Sequence, residues 1–279
     1  MISRDIPIKT LHLFPVLNKL LIELLTSLEP DEWSKPTIAS MWTVKDIVAH
    51  LLDTNMRAIA SANNYSGKQP QNIHSYTDLV NYLNDLNAVW VNAMDRVSPQ
   101  QLIGLLETTG EPYCEYLSSL DPFSASKYAV SWAGEEQSEN WFHIAREYTE
   151  KWHHQQQIRD AVNKPGIMHK ELFYPCMDTF MRGLPHTYRN AIADTGALIE
   201  ISISTEAGGT WYLQKGESNW LLIKEISGKS PDASITIKPD TAWKLFTKGI
   251  RPSIAIAEAT ILGDEVLAKN MFNMIAVMA

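Results

Sequence analysis

The sequence predicts an N-terminal bundle of helices followed by a smaller α+β domain. Up to about residue 164, apolar residues recur at spacings of three and four, which indicates amphipathic helices. From about residue 197, short segments alternate apolar and polar residues, which indicates β-strands. The chain has 279 residues, enough for two domains. We therefore expect one domain at residues 1–165 and a second at residues 166–279.

The helices of the first domain are delimited by recognisable start and stop signals. Thr43 and Asp46 have the spacing of a capping box, which predicts a helix from there to about Ala62. Ser138 is expected to begin the last long helix, and the segment NKPG at residues 163–166 to end it. The other helices are predicted at about residues 11–28, 76–96 and 98–106, the last with a further helical stretch to residue 120.

The second domain mixes both kinds of element. Strands are predicted at residues 197–204, 211–213, 220–223 and 233–237, with another near residues 254–259. Helices are predicted at about residues 171–193, 240–247 and 264–277, the first bent near Gly183 and Pro185.

Charge and cysteine content exclude several classes of protein. The net charge is −8 and the isoelectric point is about 5.5, which argues against nucleic acid as a partner because phosphate binding needs a basic surface. No apolar run has the length of a membrane span, and no secretory signal is predicted, so we expect a cytoplasmic protein. Cys114 and Cys176 lack metal-type spacing and are expected to be reduced.

A polar stripe follows one face of the predicted helix that begins at Ser138. Its members recur at spacings of four, three, four and three: His143, Glu147, Glu150, His154 and Gln157. Such a stripe is typical of a solvent-exposed face or of a partly buried site. Two of its members are histidines, and Trp141, Tyr148 and Trp152 flank it, which favours a partly buried site.

Glu150 and His154 are four residues apart, so their side chains can reach one ion from a single helical turn. A carboxylate oxygen and an imidazole nitrogen are good ligands for first-row metals, although the same pair can form a plain ion pair. The helix after the capping box carries a second polar stripe with the same spacing: Asp46, His50, Asp53 and Arg57. His50 is either a hydrogen-bonded histidine at the edge of the core or part of a metal site between facing helices.

The segments WTVKDIVAHLLD (42–53) and AREYTEKWHHQQQIRDA (145–161) resemble the maleylpyruvate isomerase N-terminal domain family of the DinB-like superfamily. The resemblance covers residues 1 to about 165 and implies a DinB-like four-helix bundle. In that family a Glu and a His four residues later bind the metal together with an earlier His. This implies that His50, Glu150 and His154 bind a metal. His153 lies about 100° around the helix from His154, so the spacing selects His154.

The second half resembles the second domain of the same family, which is sterol-carrier-like in fold. The segments DTAWKLF (240–246) and ILGD (261–264) carry this resemblance. An Arg from that domain serves the family's active site. Arg251, in the segment KGIRP (248–252), falls near the matching place, where the local sequence departs from the family's pattern. Arg251 is therefore a candidate catalytic residue.

The resemblance implies an enzyme that uses a low-molecular-weight thiol, mycothiol in the named enzyme, and acts as an isomerase or a thiol transferase. We expect a divalent metal, zinc before nickel, that activates the thiolate toward a small-molecule electrophile. Asp53 is a second candidate catalytic residue, because it or Glu147 can orient a ligand histidine; both can also be solvated charges. The expected assembly is a monomer or a homodimer.

Three other functions stay open. The chain can be a metal-binding bundle without catalysis, or a structural dimer with a vestigial site, although unpartnered buried polar groups argue against the dimer. It can also bind a small molecule or lipid through the second domain. That function predicts an apolar cavity near Trp211, Trp220, Trp243 and Phe246, which are otherwise core residues.

Overall fold

The computed structural model describes residues 4–67, 73–226 and 228–278 and has the predicted fold class, helices first and then a mixed α+β region. Its helices are α1 (Phe14–Thr26), α2 (Val44–Ala62), α3 (Tyr76–Met94), α4 (Pro99–Ser119), α5 (Asn140–Val162), α6 (Lys170–Met181), α7 (Leu184–Thr187), α8 (Pro239–Phe246), α9 (Pro252–Glu258) and α10 (Glu265–Lys269). Its strands are β1 (Leu198–Ile203), β2 (Gly209–Lys215), β3 (Trp220–Ile223), β4 (Ala233–Ile237) and β5 (Thr260–Gly263).

The chain divides into two compact units. The helical unit comprises Lys9–Ser124, Glu150–Gly166 and Met278–Ala279, and the mixed unit comprises Met1–Ile8, Ala125–Thr149 and Ile167–Val277. The division falls within α5, so the end of that helix from Glu150 belongs to the helical unit. The predicted domains at residues 1–165 and 166–279 stay a prediction.

The helical unit is held together by apolar faces of α1, α2, α4 and α5. Each buried residue of this core is at most 6% exposed: Leu21, Leu24, Leu25, Trp33, Val44, Ile47, Val48, Leu51, Leu52, Leu102, Leu106, Ile158 and Val162. Their spacing of three and four on each helix is the predicted one. Removing such surface from water is the main term that stabilises a bundle.

A capping box begins α2, as predicted. The backbone N–H of Asp46 donates to the Thr43 hydroxyl over 3.4 Å, and the N–H of Thr43 donates to the Asp46 carboxylate over 2.8 Å. These bonds satisfy two amide groups near the helix start that have no partner within the helix. The helix that follows carries His50 nearly two turns from its start.

The mixed unit contains a five-stranded sheet in the order β3-β2-β1-β4-β5. β1 pairs with β4 in parallel, and the other neighbouring pairs are antiparallel. Residues at alternate positions along the strands are buried, among them Ile199, Ile201, Leu213 and Ile235. This alternation is the period-two pattern from which the strands were predicted.

Several predicted limits differ from the structure. The predicted strand near residues 254–259 is wrong, since Pro252–Glu258 form α9 and the strand follows at Thr260–Gly263. Pro252 occupies the first helical turn, where proline is favoured, while the alternating isoleucines suggested a strand. The stretch predicted as one bent helix at residues 171–193 is two helices, α6 and α7, and that predicted at 264–277 ends as a 3₁₀ turn at Asn270–Asn273. Across the described residues, no helix combines the length and apolarity that crossing a bilayer requires.

Candidate metal centre

His50 is placed by the buried face of α2. Its neighbours Val48, Ala49, Leu51 and Leu52 are at most 2% exposed, and His50 itself is 8% exposed. The helix therefore carries an imidazole into an apolar environment. Among the described residues, no group forms a hydrogen bond with its buried Nδ1 atom. A buried ring nitrogen without a partner is costly unless something else binds it.

Glu150 and His154 lie one helical turn apart on α5. The Nε2 atom of His154 is 3.6 Å from the Oε2 atom of Glu150. The side chain of His154 is 9% exposed and that of Glu150 is 24% exposed, so the carboxylate keeps some contact with solvent. The four-residue spacing thus directs both groups toward the same point, as the sequence predicted.

The structure brings His50, Glu150 and His154 together in the helical unit. One ligand atom from each residue lies within 4.8 Å of the others. The rings of His50 and His154 have their centroids 4.7 Å apart and meet edge to face. Two imidazole nitrogens and one carboxylate oxygen form a donor set that suits a divalent transition metal. The unpartnered Nδ1 of His50 agrees with such a use, and we call these three residues the triad.

The electrostatics of the triad favour metal ligation. Burial lowers the pKa of His50 well below its ordinary value, and the nearby His154 lowers it further. A neutral imidazole has a ring nitrogen with a free electron pair. Burial raises the pKa of Glu150, but the imidazoles of His153, His154 and His50 outweigh burial and hold that pKa well below its ordinary value. The triad therefore offers an ionised carboxylate and an uncharged imidazole.

Gln157 contacts the other side of the His154 ring. Its Oε1 atom is 2.8 Å from Nδ1 of His154, and the two side chains are both buried. Gln157 belongs to the polar stripe, but its contact with His154 was missed in the sequence. The signal was present, because Gln157 follows His154 by three residues and so lies on the same helical face.

His153 also lies close to Glu150. Its Nε2 atom is 4.0 Å from Oε2 of Glu150, and its ring centroid is 4.0 Å from that of His154. The side chain is 4% exposed. His153 is not among the three residues whose ligand atoms converge. The structure therefore places it beside the triad, next to the carboxylate.

Trp42 forms an aromatic wall at the triad. Its ring centroid is 4.8 Å from that of His50 and 5.9 Å from that of His154. Trp42 precedes the capping box of α2, outside any helical periodicity, so this contact had no positional signal in the sequence. A large apolar ring at this distance limits the access of water to the two histidines.

The predicted auxiliary residues have other contacts. The carboxylate of Asp53 forms an ion pair with Nε of Arg57 at 3.0 Å, and burial raises the pKa of Asp53. Glu147, in the mixed unit, pairs with Arg146 at 3.0 Å. Arg251 is exposed in the mixed unit, where it precedes the first residue of α9. The roles predicted for Asp53 and Arg251 stay predictions.

The four aromatic residues expected near an apolar cavity of the second domain are buried, with exposures of 5% or less: Trp211, Trp220, Trp243 and Phe246. The three indole N–H groups donate to Asp178, to the carbonyl of Ala191 and to Asp240. These contacts are those of core residues with satisfied polar atoms.

A family model described as the mycothiol maleylpyruvate isomerase N-terminal domain matches residues 17–159, more than half of the chain. The chain belongs to this family. The match spans α2 and nearly all of α5, so every member of the triad lies within the mycothiol maleylpyruvate isomerase N-terminal domain. The resemblance predicted from the two helical segments is thereby confirmed.

One solved structure shows that the likeness of this family member extends beyond the N-terminal domain. A histidine-to-alanine mutant of the mycothiol-dependent maleylpyruvate isomerase has a TM-score of 0.50 and 10% identity, over 86% of this chain and 88% of that one. The unmutated enzyme has a TM-score of 0.49 and 11% identity, over 84% and 86%. At such identities the first match shows a shared fold. No curated protein matches the sequence.

Proposed function

We propose that this chain is a metal-dependent enzyme that uses a low-molecular-weight thiol, mycothiol or a similar compound, as cofactor or co-substrate. The supporting observation is the convergence of His50, Glu150 and His154 within 4.8 Å in a buried setting. The prediction that the chain is an enzyme is confirmed by its family, which is that of an isomerase. Isomerisation or thiol transfer of a small electrophile is the proposed reaction.

The residues of the chain have distinct parts in this proposal. His50 and His154 supply imidazole nitrogens, and the ionised Glu150 supplies the negative charge that offsets part of a divalent cation's charge. When bound by three protein ligands, a divalent metal leaves a coordination position open and favours the thiolate form of a thiol. Trp42 lies beside the rings of both histidines, where it would limit the solvation of a bound thiolate and so raise its nucleophilicity.

We propose zinc as the metal, with nickel as the next candidate, since histidine and carboxylate ligands serve both. The metal-binding role falls to the proposed first domain, residues 1–165. Asp53 lies on the same helix as His50, three residues later, and is proposed to orient a ligand histidine rather than to contact substrate. Arg251 is proposed to contact substrate. The cytoplasmic location and the state as a monomer or homodimer stay predictions.

The first test is elemental analysis of protein purified without chelator, beside His50→Ala and Glu150→Gln variants. We expect close to one equivalent of metal per wild-type chain and little in either variant. His12→Ala is the matched control, because His12 is exposed in the same unit and should leave the metal content unchanged. Wild-type protein without stoichiometric metal would contradict the proposal.

The second test separates the enzyme from a metal-binding bundle without catalysis. Conjugation and isomerisation are measured with a panel of thiols and electrophiles, in chelated and in metal-reloaded protein. We expect thiol-dependent turnover that is abolished by chelation and restored when the metal is added back. Metal binding without thiol-dependent turnover would instead identify the non-catalytic alternative.

A further inference from the structure

The imidazole of His154 has a different polar neighbour at each ring nitrogen. Nδ1 lies 2.8 Å from Oε1 of Gln157, which is hydrogen-bond distance. Nε2 lies 3.6 Å from Oε2 of Glu150, within the triad. His154 is 7% exposed and Gln157 is 4% exposed, so water competes little for their contact.

The chemistry of the amide decides which ring nitrogen carries the proton. An amide oxygen only accepts hydrogen bonds, so with Oε1 of Gln157 facing the ring, Nδ1 of His154 is the donor of this contact. In a neutral imidazole with its proton on Nδ1, the free electron pair is on Nε2. That pair is on the nitrogen that faces Glu150. The other tautomer would bring the electron pairs of Nδ1 and Oε1 against each other at 2.8 Å.

We propose that Gln157 is a positioning residue, which fixes the tautomer and ring orientation of His154 so that Nε2 is presented to a metal. The presentation of Nε2 to a metal rests on the proposed metal function. The tautomer of His154 does not, because it is a property of the metal-free chain. Histidines that bind metals commonly donate their second N–H to an acceptor that orients them. Gln157 supplies a neutral acceptor, which adds no further negative charge beside Glu150.

The chain provides a matched control in the preceding residue. Gln156 is 6% exposed, on the same helix, and its Oε1 atom lacks a hydrogen-bond partner among the described residues. Gln156→Leu therefore removes an equally buried amide oxygen without removing a hydrogen bond to His154. Gln157→Leu removes the acceptor, and Gln157→Glu keeps an acceptor at the same position.

The first measurement is a long-range proton–nitrogen correlation spectrum of the imidazoles in metal-free protein, at a mildly alkaline pH. For His154 we expect the Nδ1–H tautomer in wild type, in Gln156→Leu and in Gln157→Glu, and a mixture of tautomers in Gln157→Leu. An Nε2–H tautomer in wild type would overturn the proposal, whether or not any variant folds. So would an unchanged Nδ1–H tautomer in a folded Gln157→Leu variant.

The second measurement is zinc affinity, by competition with a chromophoric chelator. Loss of such an orienting partner lowers metal affinity by roughly 10- to 100-fold, and we expect this loss for Gln157→Leu. Gln157→Glu should restore wild-type affinity or exceed it, because a carboxylate makes the imidazole a stronger donor. Equal affinities for wild type and Gln157→Leu would overturn the proposal. Wild type that has the Nδ1–H tautomer but binds no zinc would refute the proposed metal function and leave the tautomer assignment supported.

Discussion

His143 lies buried near the start of α5, and its imidazole is expected to make the folded protein sensitive to acid. The side chain is 9% exposed. A guanidinium nitrogen of Arg146 is 2.5 Å from Nδ1 of His143, so this nitrogen accepts a hydrogen bond and has no room for a proton. The pKa of His143 is lowered from 6.5 to about 4, mainly by burial; Glu147 opposes this shift and Arg146 adds to it.

The direction and size of the effect follow from that pKa. Above pH 6.5 the imidazole is neutral in both states and contributes nothing to the pH dependence. As the pH falls from 6.5 toward 4, the unfolded chain binds the proton first, so the free energy of unfolding decreases. The two pKa values correspond to a maximal loss of about 3 kcal/mol, since each pKa unit is about 1.4 kcal/mol. The stability is thus complete above pH 6.5 and is lost toward pH 4.

The assay is urea denaturation at a series of pH values for wild type, His143→Gln and His12→Gln. Glutamine at position 143 can accept from Arg146 but does not titrate, so the variant should lose about 3 kcal/mol less than wild type across this range. His12 is exposed, and its variant should follow the wild-type profile. Equal acid dependence in wild type and His143→Gln would refute the reasoning.

Other perturbations test the triad and the two cores. Zinc at a hundredfold its dissociation constant should raise the free energy of unfolding by about 2.7 kcal/mol, reversed by chelator; unchanged urea curves would count against the site. Asn55→Leu should cost about 1–3 kcal/mol, because Nζ of Lys151 loses an acceptor at 2.6 Å and Thr109 loses a donor at 2.9 Å; urea denaturation that shows no loss would contradict this. Trp211→Phe should cost about 1–3 kcal/mol through the bond to Asp178 at 2.8 Å, measured in the same way, and a wild-type curve would show that this bond contributes nothing.

Local signals in the sequence were sufficient for the helices of the N-terminal half. The capping box of Thr43 and Asp46 is self-contained within four residues, and α2 begins and ends where the sequence predicted. Apolar spacing likewise located α1, and the start and stop signals at Ser138 and residues 163–166 located α5. The second half depends more on pairing between distant segments. The stretch Pro252–Glu258 has isoleucines at alternate positions, which fit a strand as well as a short helix, and only the tertiary structure decides between them.

The contacts around the triad were predictable to the extent that they depend on one helix. Helical spacing places Glu150, His154 and Gln157 on one face of α5, and His154 lies close to both of the others there. Spacing does not show which ring nitrogen meets which neighbour, since that depends on a rotation of the imidazole. It also gives no information about Trp42, because that residue lies in the turn before α2, where no periodicity applies.

The choice between His153 and His154 shows why one helix alone is not enough. Seen from Glu150 the two differ little, since their Nε2 atoms are 4.0 Å and 3.6 Å from its Oε2 atom. Both rings are buried as well, so neither burial nor distance to the carboxylate separates them. What separates them is α2, because the ring of His154 meets that of His50 at 4.7 Å and completes the converging set. Spacing along α5 alone could not show where α2 lies. The position of His50 on α2 is therefore the structural reason that His154, rather than His153, belongs to the triad.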